Sequence, residues 1–259
     1  MQKALTYVGG AFVATSLLIA PASAQENYVS ASAGLSMLQD SDNSGEFSSD
    51  FTTGAGTAIP AGVVLPAGTE VGWTTEFERG YSVSAAFGRD YGAWRGEVEV
   101  ALQSNDIDTH NGVQAAGIAL ANEDAGVLIT GSPNLGVTVG ALVDDGAGSV
   151  KSTFLMANAY YDFGGDSAFS PYIGAGVGVA KVEVEYAPSG VGIVDDSDTL
   201  IAYQLIGGAS YDLSDAMAIF AQARYRATPD VETQVDLFDA KLDVENTSTL
   251  LEAGVRFRF

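Results

Sequence analysis

Apolar and polar residues alternate with a period of two over the end of the chain. From Thr247 to Phe259 the odd positions Leu251, Ala253, Val255, Phe257 and Phe259 form one apolar face, while even positions bring Glu252, Arg256 and Arg258 to the other. That period belongs to a β-strand, whose successive side chains point to opposite faces. An apolar face backed by ionised residues suits a strand whose greasy side meets lipid and whose charged side lines a small polar interior. The same alternation predicts strands at residues 28–38, 81–88, 94–103, 153–163, 171–185, 201–211 and 217–226. The third is the clearest, with Trp94, Val98, Val100 and Leu102 set against Arg95, Glu97, Glu99 and Gln103. Spans of about 10 alternating residues cross a bilayer when tilted. Closing them into a ring pairs every backbone group, which lipid demands.

The spacing of these strands is uneven. Short connections follow strands two, four and six (Arg89 to Gly92, Gly164 to Ser170, Asp212 to Asp215), and longer stretches follow strands one, three, five and seven. This asymmetry predicts an all-β, eight-stranded antiparallel up-and-down transmembrane barrel. Both termini and the short turns would be periplasmic, and the long acidic loops extracellular. Gln39 to Glu78 is too rich in Gly, Ser, Asp and Pro to read as core and is expected to be a long loop. Ser104 to Ser149 reads as a second, within which Val127 to Thr130 and Leu135 to Val143 could extend as a hairpin above the membrane. In strand five Ile173, Ala175, Val177 and Val179 share one parity, whereas Val182 and Val184 take the other. A bulge near Ala180, or protrusion of Lys181 to Glu185 beyond the bilayer, accounts for the switch. Asp195, Asp196 and Asp198 are expected in a shorter acidic loop, and Thr228 to Asn246 in the last one.

Composition narrows the compartment. Lys3, an apolar run from Ala4 to Ala20 and the small-residue site Ala22-Ser23-Ala24 form a secretory signal peptide over residues 1–24. Residues 25–259 then make one barrel domain. With no cysteine, the exported chain relies on neither disulfides nor thiolate metal sites. Loss of Lys3 leaves 33 acidic residues and a net charge near −23, which excludes nucleic acid as a partner. A soluble lipocalin-like barrel would need apolar residues inside, and the charged inward set argues against it.

Met156-Ala157-Asn158-Ala159-Tyr160-Tyr161-Asp162-Phe163 followed by Pro171-Tyr172-Ile173-Gly174-Ala175-Gly176-Val177-Gly178 resembles the hallmark hairpin of the opacity-type (porin-like surface antigen) outer-membrane β-barrel family. Ala202-Tyr203-Gln204, Gly208-Ala209-Ser210-Tyr211, Arg224-Tyr225-Arg226 and Ala253 through Phe259 continue the likeness in order, covering roughly Thr153 to Phe259. The resemblance implies an eight-stranded barrel in a Gram-negative outer membrane and a C-terminal Phe259 read by the assembly machinery. It implies no reaction.

Nine inward ionised residues, Arg95, Glu97, Glu99, Asp162, Arg224, Arg226, Glu252, Arg256 and Arg258, are the candidate interior network. An eight-stranded interior is just wide enough for side chains to fill it, so these are expected to neutralise one another as a structural plug. A small diffusion channel for small solutes is the alternative. His110 is the chain's single histidine and sits in Asp108-Thr109-His110-Asn111-Gly112, so hydrolysis by a His-activated Ser is disfavoured and a solvated loop histidine expected. Asp40-Ser41-Asp42-Asn43-Ser44-Gly45 opens like a calcium loop, but Phe51 stands where the bidentate Glu belongs. The acidic residues outside the spans, from Asp106 and Asp108 to Asp239 and Asp243, read as a solvated face; the second reading is divalent cations bridging them to lipopolysaccharide, or selection of cationic ligands. No cofactor, metal or catalytic residue is assigned. The expected protein is a monomeric outer-membrane barrel with a structural surface role, contacting lipid, lipopolysaccharide and the assembly machinery.

Overall fold

The computed structural model describes residues 27–163 and 167–259; the expected signal peptide lies outside them, as does part of the turn at 164–170. The strands, in chain order, are β1 (Asn27–Leu38), β2 (Ser41–Phe47), β3 (Phe51–Thr52), β4 (Val64–Leu65), β5 (Glu70–Phe77), β6 (Gly80–Asp90), β7 (Trp94–Ala115) and β8 (Ile118–Ala119). After them come β9 (Gly148–Asp162), β10 (Phe169–Tyr186), β11 (Val194–Ser214), β12 (Met217–Ala227), β13 (Val231–Val235), β14 (Ala240–Val244) and β15 (Thr247–Arg258). Among the described residues, one short helix, α1 (Val139–Val143), and two single turns of 3-10 helix complete the set. No described helix is long and apolar enough to cross a membrane, which says nothing of spans made by strands.

All the strand pairings are antiparallel. Beginning at β1 they run through β6, β7, β9, β10, β11, β12 and β15 and return to β1, where Tyr28 to Leu38 lie opposite Arg258 to Ser248. Around this ring the outer positions carry a belt of exposed apolar residues, among them Val98, Leu155, Val177, Ile201, Leu205 and Leu251. At the end with the short connections the belt turns aromatic: Trp94 and Tyr161 meet at 5.1 Å, Tyr161 and Phe163 at 4.9 Å, Phe87 and Phe259 at 6.4 Å. Inward positions of the same strands are mostly polar or small, with a few large apolar side chains such as Phe154, Met156, Ile206, Phe220 and Leu250 buried among them.

The strands run well past the belt, and there the chemistry of the two faces inverts. In β10 the pairing with β11 is unbroken from Phe169 to Tyr186, so no bulge forms at Ala180. Val182, Val184 and Tyr186 simply keep the inward parity of Ala180, and Lys181, Glu183 and Glu185 point out. Past the belt the alternation is that of a soluble sheet, apolar inside and charged outside. Asp195, Asp196 and Asp198 therefore lie on β11 rather than in a loop, paired across from Glu185, Val184 and Val182.

The expected long loops are largely ordered for the same reason. Within Gln39 to Glu78, β2 and β5 pair with each other, and β5 pairs with the extension of β7. Thr228 to Asn246 folds as the β13–β14 hairpin, which joins β2. The stretch Asp40 to Gly45, whose opening spacing is like that of a calcium loop, lies from Ser41 onward in the extended strand β2. Val127 and Leu135 to Val143 do not form a hairpin: the first lies in a 3-10 turn (Ala125–Leu128) and the second ends in α1, tied by one bridge between Asp124 and Thr138. Together these pieces cap one end of the ring over a buried apolar cluster that includes Phe47, Trp73, Ile107, Val139, Val182 and Leu242.

Candidate functional site

The interior of the ring brings together the side chains that β7, β9, β12 and β15 direct inward. Arg224 on β12 is the hub: its Nη1 lies 2.6 Å from Glu99 Oε1 and its Nε 2.8 Å from Glu252 Oε2. Arg226, one inward step further, contacts the same Glu99 oxygen at 3.3 Å, donates to Gln204 Oε1 at 3.0 Å and lies over the Phe154 ring at 4.3 Å. Glu252 also accepts from Ser82 at 2.8 Å and from Gln222 at 2.9 Å. Six strands, β6, β7, β9, β11, β12 and β15, are thus tied across the interior. Such pairs sit where an unpaired charge would cost several kcal/mol.

Toward the short-connection end the pattern changes. Arg95 forms a bidentate pair with Asp162, Nε to Oδ2 at 2.6 Å and Nη2 to Oδ1 at 3.0 Å, and lies over the rings of Tyr160 and Tyr172 at 4.5 and 5.0 Å. Glu97 has no basic partner among the described residues; Tyr28, Asn158 and Tyr160 donate to it at 3.0, 3.1 and 2.5 Å. Gly88 makes this possible, since a Cβ there would meet the Tyr28 ring at 2.2 Å. Arg258 pairs with Asp212 at 2.7 Å near the rim, partly exposed. Among the described residues Arg256 has no carboxylate within salt-bridge distance, and it rests instead over the faces of Tyr28 and Phe220 at 5.1 and 5.5 Å. Of the nine residues expected inside, seven form ion pairs, while Glu97 and Arg256 are held by neutral groups. Asp212, expected only in a turn, belongs to the network.

The cap holds a second set of buried polar groups. His110 is not solvated: it is 4% exposed, on β7, facing Trp73 and Tyr186. Two register shifts between β5 and β7 bracket it, and Gly112 with φ of 66° serves the second. Each shift inserts a residue, so parity flips at His110 and flips back by Val113. Its Nδ1 lies 2.8 Å from Thr75 Oγ1, which itself accepts from Asn43 Nδ2 at 2.6 Å. The other ring nitrogen, Nε2, is buried with no hydrogen-bond partner among the described residues. Burial drives the imidazole pKa from 6.5 down to about 4, with Asp145 opposing.

Glu123 and Asp124, adjacent in the chain, anchor the cap's irregular segments. Glu123 Oε2 accepts from the amides of Thr57, Ala58 and Ile59 at 2.6, 2.9 and 3.1 Å. Asp124 accepts from Gly126, Leu135 and Gly136 at 2.7 to 2.9 Å. Desolvation pushes the Glu123 carboxyl up, but the three amides outweigh it and hold its pKa below 4.5. The amides of Leu135 and Gly126 likewise hold Asp124 below 3.8. Among the described residues no three His, Asp or Glu side chains come together as a metal ion would require.

The sequence profile of a family described as surface antigen matches residues 63–259. The outer membrane protein PagN of Salmonella typhimurium is 40% identical over 81 residues, which are 29% of this chain and 34% of that protein. The chain thus spans about a third of that relative's length. Among solved structures, the outer membrane protein OprG of Pseudomonas aeruginosa aligns with a TM-score of 0.52 at 14% identity, over 90% of this chain and 96% of the other, a likeness of fold. Neisserial surface protein A aligns with a TM-score of 0.46 at 18% identity, over 90% of this chain and 97% of its own.

Proposed function

The chain belongs to the surface antigen family and resides in the outer membrane of a Gram-negative cell, and from that premise we propose that it is an eight-stranded up-and-down transmembrane β-barrel with a plugged interior and a contact-making extracellular cap, without catalysis of its own. In this reading residues 1–24 are the cleaved secretory signal. The short connections and both termini face the periplasm, and Phe259 is engaged by the assembly machinery. The protein acts as a monomer, as a structural surface protein and as an adhesin or antigen. The capped end carries the acidic positions Asp106, Asp108, Asp195, Glu232 and Asp243, all on its solvent side, where divalent cations would link them to lipopolysaccharide.

One observation carries the plugged reading. Arg224, Arg226, Glu99, Glu252 and Gln204 are all at most 4% exposed and bonded across the interior, and a ring of eight strands leaves room for little else. Planar-bilayer recording of the purified protein tests it. The expected trace is silent at neutral pH. Steady openings that change when Arg224 is replaced would sink the plug and establish the small diffusion channel instead.

A further inference from the structure

At the end of the ring bearing the short connections the interior opens into a cavity of about 790 Å³, lined in part by Asp90, Arg95, Asp162, Asp212, Arg256 and Arg258. Two of its three cations are spoken for. Asp162 takes Arg95 through both oxygens, and Asp212 takes Arg258. Arg256 is 4% exposed, its buried Nε has no partner, and among the described residues no acceptor bonds its guanidinium. A guanidinium presents five N–H donors in a fixed fork. Leaving such a group buried without acceptors is costly, and cation–π contact with Tyr28 and Phe220 meets the charge without meeting the donors.

The surroundings add to the demand for an acceptor. Arg95 lies 5.9 Å from the same Tyr28 ring that Arg256 covers at 5.1 Å, so two guanidinium groups flank one phenol. Only one of them has a carboxylate. Glu97, whose charge would balance the other, is already engaged by Tyr28, Asn158 and Tyr160. We propose that this cavity is a binding site for a small oxyanion, a carboxylate or phosphate group, held by the Arg256 fork. Two oxygens of one such group match that fork, whereas a halide meets a single N–H pair less well. The rim carboxylates Asp90 and Asp212 disfavour polyanions, which confines the ligand to a small molecule with one anionic group. That the cavity faces the periplasm rests on the barrel orientation given above; the site itself does not.

The full chain in detergent micelles, labelled with ¹⁵N-arginine, provides the test. Titration with inorganic phosphate, and separately with acetate, should move the Arg256 Nε–Hε resonance saturably in the millimolar range, the resonance being identified by its loss in R256K. Sodium chloride at matched ionic strength should not. Calorimetry should show at least tenfold weaker binding to R256K and unchanged binding to K241Q, which lies in the cap. The stronger of the two anions names the ligand's headgroup. A linear, unsaturable shift with both anions, or equal affinity in wild type and R256K, overturns the site. Should R256K not fold, the wild-type titration decides alone. A silent barrel that fails to bind overturns only this site, and a conducting one that binds overturns only the plug.

Discussion

His110 makes the cap's stability depend on pH in a window set chiefly by burial. The imidazole is neutral inside the cap, with a pKa of about 4 against 6.5 when exposed. Because the folded value is depressed, an opened cap takes up a proton between pH 6.5 and 4 that the closed cap refuses. The contribution of His110 to stability is therefore fully present above pH 6.5, falls as pH drops through the window and stops changing below it. The full shift corresponds to roughly 3 kcal/mol, of which about 2 kcal/mol is lost by pH 5. The charged groups of the neighbouring elements do little to blunt this. Asp145, which precedes the Gly146 turn into β9, favours the charged ring, but β5 and β10 offer His110 only Trp73, Thr75 and Tyr186.

Two measurements check the reasoning. As the chain has one histidine, its carbon-bound ring protons give a single NMR titration, whose midpoint should fall near 4 and not between 6 and 7. Amide hydrogen exchange in β2, β5, β13 and β14, corrected for intrinsic rates, should show protection falling by roughly thirtyfold from pH 7 to 5, the equivalent of about 2 kcal/mol. The ring strands β11, β12 and β15 should not follow. In His110→Phe, which keeps the ring volume and removes the titration, the slope between pH 6.5 and 5 should vanish. A midpoint near 6.5, or the same slope in the variant, would refute the account.

Other consequences concern the remaining buried contacts. Arg224→Ala leaves Glu99 and Glu252 buried without their main counterion and should cost about 3–5 kcal/mol in urea unfolding from lipid vesicles; an unchanged midpoint would mean the interior is wetter than its packing implies. Glu123→Gln should accelerate protease cleavage within residues 53–62 by roughly tenfold, since a neutral amide cannot hold three backbone donors as a carboxylate does. With the native carboxylates, that protection should be complete above the unfolded values of 4.5 and 3.8 and be lost as pH falls through the lower folded values of Glu123 and Asp124. Gly88→Ala should displace Tyr28 from Glu97 and lower stability by about 1–3 kcal/mol, visible as an earlier heat-induced shift in gel migration; no shift would show that Tyr28 can move freely.

How far the sequence discloses this molecule depends on what surrounds each stretch of strand. Residues 94–103 are legible because lipid outside and polar groups inside give Val98, Val100, Glu97 and Glu99 opposite characters on opposite faces. Residues 104–115 continue the same strand, yet Asn105, Ile107, His110 and Val113 all point inward. Two bulges and the loss of the lipid boundary erase the simple alternation that would have revealed them; Gly112 is the one local sign. Acidity misleads in the same way: Asp195, Asp196 and Asp198 resemble a loop only if strands are assumed to end where lipid does.

The interior network was half legible for a different reason. Parity tells which way Arg224 and Arg256 point, and both point inward. It does not tell that β7 and β15 present Glu99 and Glu252 to the first while the second rests over the rings of Tyr28 and Phe220, because partners across a ring are fixed by strand stagger and not by local pattern. Glu123 and Asp124 are harder still, since their partners are main-chain amides that carry no sequence signature. The two arginines therefore make the sharper comparison: on neighbouring strands, with the same side chain and the same inward direction, one is consumed by the fold and the other is left with its donors free. A contact that serves only the barrel's stability would be expected to resemble Arg224, and the difference at Arg256 is what separates a binding group from a strut.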